Sequence, residues 1–108
     1  IQYCYAHLLR DVEDLDKEFP DNGEVSTFTA VVIPLLSSAI KLRKQPINDG
    51  EFYAQAAHLR SEIQAAMDQP ARHLGIRRIQ DIFRNNTGYT IGRKTEKFLR
   101  TTTWLNVI

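Results

Sequence analysis

Tyr5-Ala6-His7-Leu8-Leu9-Arg10-Asp11-Val12-Glu13-Asp14-Leu15-Asp16-Lys17-Glu18-Phe19, followed by Pro20-Asp21-Asn22-Gly23, decides the fold class. Leu8, Leu9, Val12, Leu15 and Phe19 return at helical spacing, with Arg10, Asp11, Glu13, Asp14 and Lys17 on the other side. A helix with one apolar stripe buries it against a neighbour. Pro20 to Gly23 carry strong turn chemistry, so the helix stops there and the chain turns to the next element.

Three more stripes follow. A second helix is predicted over about 24–44, with Val25, Phe28, Val32, Leu35, Leu36, Ala39 and Ile40 on one side. Pro34 lacks a backbone donor, so a kink or break is expected near 31–33. Lys41, Arg43 and Lys44 crowd the C-terminal end, where they suit the helix dipole. A third helix is predicted over about 49–68, its stripe Phe52, Ala56, Leu59, Ile63, Ala66 and Met67. Asn48 is the expected N-cap, with Glu51 placed as in a capping box. A fourth follows Gln69-Pro70 over about 74–86, on Ile76, Ile79, Ile82 and Phe83. Four stripes joined by short turns predict a mainly α fold, an antiparallel helical bundle. From Thr87 the helical period is lost, and 101–108 is β-prone by composition. An irregular or β-prone C-terminal tail is therefore expected over 87–108.

Size and charge narrow the function classes. At 108 residues the chain is at most one small domain, and 43% hydrophobic with 25% charged residues is ordinary for a globular protein. A net charge of +1 argues against a stand-alone DNA-binding module, which is usually clearly basic. The single cysteine allows no internal disulfide, which fits a reducing cytoplasm. The longest apolar run covers 30–36 and contains Pro34, far short of the ~20 residues that span a membrane, so no membrane partner is expected. The chain opens on Ile1 without a signal-peptide pattern and reads as cut from a longer one.

Cys4 and His7 stand three apart at the start of the first helix. By themselves they offer two zinc ligands where a structural site needs four, and His58 and His73 have no paired ligand nearby. A thiol nucleophile with His7 as base is chemically allowed but has no other support. The simplest reading is a buried Cys4 and a capping or packing His7. No catalytic or metal residue is assigned on this basis.

The wider string Ile1-Gln2-Tyr3-Cys4-Tyr5-Ala6-His7-Leu8-Leu9-Arg10-Asp11 resembles the Cys-aromatic-Ala-His segment of the insertion-sequence-sixty-six family of bacterial transposases. Phe19-Pro20-Asp21-Asn22, Pro34-Leu35-Leu36-Ser37, Leu42-Arg43 and Ile79-Gln80-Asp81-Ile82-Phe83-Arg84 fit in the same order. The resemblance covers 1–86 and marks Cys4, His7 and Arg10 as family-motif residues. It implies a helical insertion in a ribonuclease-H-like enzyme of the DDE superfamily, which acts in DNA transposition. There two aspartates and a glutamate hold divalent metal, usually magnesium, for strand cleavage and transfer.

Both aspartates belong upstream of Ile1, so no cofactor is expected in this piece, and DNA is the partner of the intact parent. The piece is expected to be inactive alone. Asp11, Glu13, Asp14 and Asp16 are read as a solvated acidic face. The resemblance implies that the first helix packs beside the catalytic sheet, so exposed Leu8, Leu9 or Val12 would promote self-association.

The stretch carrying the glutamate is not visible after Arg84, but a shifted reading frame permits it. Gly88 to Gly92 permits Leu-Tyr-His-Trp, and Phe98 to Thr103 permits Pro-Ala-Asp-Asn-Asn. Thr103 to Ile108 permits Leu-Ala-Glu-Arg-Asp. Residues 87–108 thus read as an out-of-frame tail, with 1–86 as the transposase fragment. The alternative is a genuine divergent strand there.

Arg77, Arg78 and Arg84, with Arg72, put positive charge on segment four and are candidate DNA-phosphate contacts, against a plain solvated face. Lys94-Thr95 with Gly88 imitates the end of a phosphate loop, but Arg93 stands where the second glycine belongs. The alternative for the whole chain is a small helical interaction or oligomerisation module without chemistry.

Overall fold

The computed structural model describes residues 4–86, 89, 91 and 92. Among these there are four helices and no strand: α1 (Tyr5–Glu18), α2 (Gly23–Leu42), α3 (Asp49–Met67) and α4 (Leu74–Arg84). The predicted helical bundle is what the chain forms. The β-prone stretch 101–108, with Gly88, Arg93, Lys94 and Thr95, lies outside the described residues.

Local chemistry places the helix ends. Asn22 caps α2, its Oδ1 accepting from Val25 N at 3.0 Å. Asn48 caps α3, accepting from Glu51 N at 2.8 Å. The Glu51 carboxylate does not complete a capping box; it accepts from Gln55 Nε2. Each such cap is typically worth about 1 kcal/mol.

Of the kink or break expected near 31–33, the break does not occur: α2 runs on through Pro34. Pro34 and Ala30 both lie on the exposed side, so the carbonyl that loses its donor faces water. Val32 and Leu36 are buried on either side and hold the helix together. With its serines and threonines, α2 is long and apolar enough by length and composition to cross a membrane, which the apolar-run count missed. Here it is the central helix, with Val25, Val32, Leu36 and Ala39 in the main core.

Successive helices run antiparallel. Thr29 of α2 donates to Asp16 of α1 at 2.9 Å, just across their short turn. Ser38 and Leu42 lie beside residues 54–59 of α3, while Thr27 and Val31 lie beside 66–71. Against α1, α4 closes the body, with Phe19 meeting His73 edge-on at 4.4 Å. Gly75 makes that approach feasible: a Cβ there would come within 2.5 Å of Leu15 Cδ1.

The exposed apolar residues expected on segment one are not exposed. Leu8 is 1% and Val12 0% accessible, and Leu9 is half-buried. The face assigned to an absent catalytic sheet is covered by α2 and α4. A smaller cluster of Leu42, Phe52 and Ala56 fills the far end of the α2/α3 pair.

The packed body continues past Asn86. Tyr89 is buried, with its ring centroid 5.4 Å from Phe83 and 5.5 Å from Tyr5. Arg60 Nη1 donates to the Tyr89 carbonyl at 2.7 Å, and Ile91 packs on both clusters. The Tyr5 hydroxyl is buried in this cluster without a partner among the described residues. Burial pushes its pKa up, opposed in part by the charge of Arg60. A buried polar group without a partner is a cost, typically about 1–3 kcal/mol. Tyr5→Phe is therefore expected to keep or raise stability, by up to about 1 kcal/mol, in urea unfolding. A clear loss would reveal a hydrogen bond to that hydroxyl.

Candidate functional site

Cys4 is the N-cap of α1, half-buried and extended (φ −136°, ψ 135°), with no side-chain hydrogen bond to the helix. Its carbonyl accepts from Leu8 N, which starts the helix. His7 and Arg10 follow on the exposed side of α1, so the reading of His7 as a capping or packing residue is corrected. Helical rotation explains this: Tyr5 and Leu8 take the inward positions, and His7, turned about 100° from one and about 160° from the other, points outward.

Among the described residues no hydrogen bond or ion pair joins these side chains to the other histidines. His58 pairs with Glu62 one turn along α3. His73 caps α4 instead, its Nδ1 accepting from Gly75 N at 3.0 Å. Among the described residues no three His, Cys, Asp or Glu side chains converge as a metal-binding group. The donors among the described residues do not by themselves make the divalent-metal centre implied by the resemblance.

The acidic residues of α1 divide in two. Asp16 is structural, accepting the hydroxyl of Thr29, itself 3% exposed. Asp11 and Asp14 are exposed and, with Glu18, form one wall of a groove of about 660 Å³ between α1 and α4. Leu15 and Ile79 line its floor, and Arg78 stands on the opposite wall. Arg77 and Arg78 are exposed, whereas Arg84 is paired with Asp81 at 2.7 Å. The three candidate phosphate-contacting arginines therefore lie on one helix, but carboxylates flank two of them.

A further polar contact was not readable from the sequence. Glu24, in the first turn of α2, accepts from Arg72 N and His73 N, each at 2.7 Å. It ties the start of α2 to the segment leading into α4. The Arg72 N–H is the largest influence holding the Glu24 carboxyl below the usual glutamate range; desolvation opposes it and the His73 N–H adds to it. A carboxyl whose pKa is lowered by folding adds stability above its unfolded pKa, and that stability is lost as pH falls through the folded value.

Glu24→Gln can accept only one of the two N–H groups and carries no charge. It is expected to lower the urea midpoint at pH 7, with the gap to the parent closing on acidification below roughly pH 5. A gap independent of pH would remove the carboxylate from this role.

No family model, no curated protein and no solved structure matches this chain.

Proposed function

We propose that this chain is the helical insertion of a transposase resembling the insertion-sequence-sixty-six family, lying between the second and third catalytic carboxylates, and inactive alone. The observation that carries the proposal is the ordered set of strings from Cys4-Tyr5-Ala6-His7 to Ile79-Gln80-Asp81-Ile82-Phe83-Arg84. The helical body is compatible with it: the Cys4 segment leads directly into α1, and α2 to α4 occupy the stretch assigned to the insertion. In the parent, upstream aspartates and a downstream glutamate hold the metal and carry the chemistry, in the cytoplasm. The residues here supply a spacer between them, with Arg77, exposed and outside the acid-walled groove that holds Arg78, the arginine left open to DNA phosphate.

The gene tests this directly. The expected sequence encodes two aspartates of the catalytic core upstream of Ile1. After a slip near Asn86 to Thr87, it encodes Asn-Asn followed by Ala-Glu-Arg. A gene with neither feature overturns the proposal.

One observation favours a second reading, a helical interaction module without chemistry. The α1 stripe is already buried by α2 and α4, so the body closes without a sheet. A start codon and ribosome site immediately before Ile1 would select that reading.

A further inference from the structure

We propose that the α1/α4 groove is a self-association surface whose occupant is a second copy of this chain, related by a two-fold axis. The inference stands apart from the transposase reading and rests on the distribution of charge around the groove. Asp11, Asp14 and Glu18 recur along one side of α1, while Arg78 projects from the facing side of α4, with Arg77 beside it. Among the described residues no ion pair joins these two walls; the pairs present are His58–Glu62 and Arg84–Asp81. The floor between them is apolar, and Leu74, at the rim, leaves 76% of its surface exposed.

A wholly basic partner would satisfy the carboxylates and meet Arg78 with like charge. Nucleic acid would do the reverse, bringing phosphates against Asp11 and Asp14. A second copy satisfies both walls in one operation. In a two-fold interface, if residue i of one copy meets residue j of the other, j also meets i. The acidic wall of each copy then faces the basic wall of its partner, and Leu74 of each is covered. This face differs from the Leu8 and Val12 surface that the sequence offered, which is buried.

The test is sedimentation velocity over a range of concentrations, with Arg78→Glu and Asp14→Arg made separately. Both positions are exposed, so far-ultraviolet circular dichroism should match the parent. The parent is expected to form dimers that weaken with salt. Each single reversal should raise the dimer Kd by more than about a hundredfold through like-charge contact. Mixed in equal amounts, the two variants should associate again. The Arg78→Glu side chain of one copy then faces the Asp14→Arg side chain of the other, and the second contact is native.

A parent that stays monomeric up to about millimolar concentration overturns the proposal. So do reversals that leave dimerisation unchanged, or a mixture that remains monomeric. If either reversal fails to fold, Leu74→Glu decides: a rise in Kd of more than about tenfold supports the surface, and no change rejects it.

Discussion

Val12→Asp is expected to abolish cooperative folding. Val12 is 0% exposed and sits on α1 inside the main core, where α2 and α4 close over it. A carboxylate there has no partner, and burying an unpaired charge costs several kcal/mol after relaxation. Native domains are held by only about 5–15 kcal/mol in total, so one such group removes much or all of that margin. The variant should show a broad, non-cooperative thermal transition by circular dichroism and lose near-ultraviolet signal. If α1 instead presented its stripe to a sheet outside this chain, Val12 would be wet and the aspartate nearly neutral.

Phe52→Ala carries the second-largest expected effect, a loss of about 3–5 kcal/mol. The ring is fully buried with Leu42 and Ala56, and Ile47, Leu59 and Ile91 pack around them. Removing it takes away the largest side chain of a small cluster, and the flanking residues cannot fill the space without moving α3 against α2. A fall in melting temperature of roughly 10–20 °C follows for a chain of this size. Tyr53, its neighbour in sequence, is 55% exposed and provides the control. Tyr53→Ala should stay within about 0.5 kcal/mol, the range of surface substitutions. Equal effects at 52 and 53 would mean that the predicted helical face of α3 is wrong.

What the sequence disclosed depended on the distance between partners. The stripes of Leu8, Val12 and Leu15, and of Ile63 and Met67, are local patterns, and local periodicity sufficed to place the helices. The caps at Asn22 and Asn48 are equally local. Pro34 does not break α2, because its effect depends on which side of the helix faces water, which single-residue chemistry does not specify. Glu24 drew no notice in the sequence, because its partners Arg72 and His73 lie beyond α3. Thr29 is a weak helix former whose burial makes sense only beside Asp16. Tyr89 lies beyond the last stripe, and its place between Tyr5 and Phe83 requires the two ends of the described chain to meet.

The candidate site divides the same way. The acidic side of α1 and the basic side of α4 were each legible, as patterns of exposed charge. Their sharing of one groove was not, since it follows from α4 lying along α1 with Gly75 pressed on Leu15. Cys4 and His7 were a weak signal as a pair, and the structure gives them little local partnership. The thiol makes no hydrogen bond to the helix it precedes, and the imidazole faces outward.

α1 belongs to the same cooperative body as α2 and α4. Native-state hydrogen exchange measures that directly, because amides in one cooperative unit open with one free energy. The backbone amides of Val12 and Leu15 are expected to exchange only with global unfolding, at the same free energy as those of Val32 and Leu36. Exchange of the α1 amides at a much lower free energy, while α2 stays protected, would contradict the account.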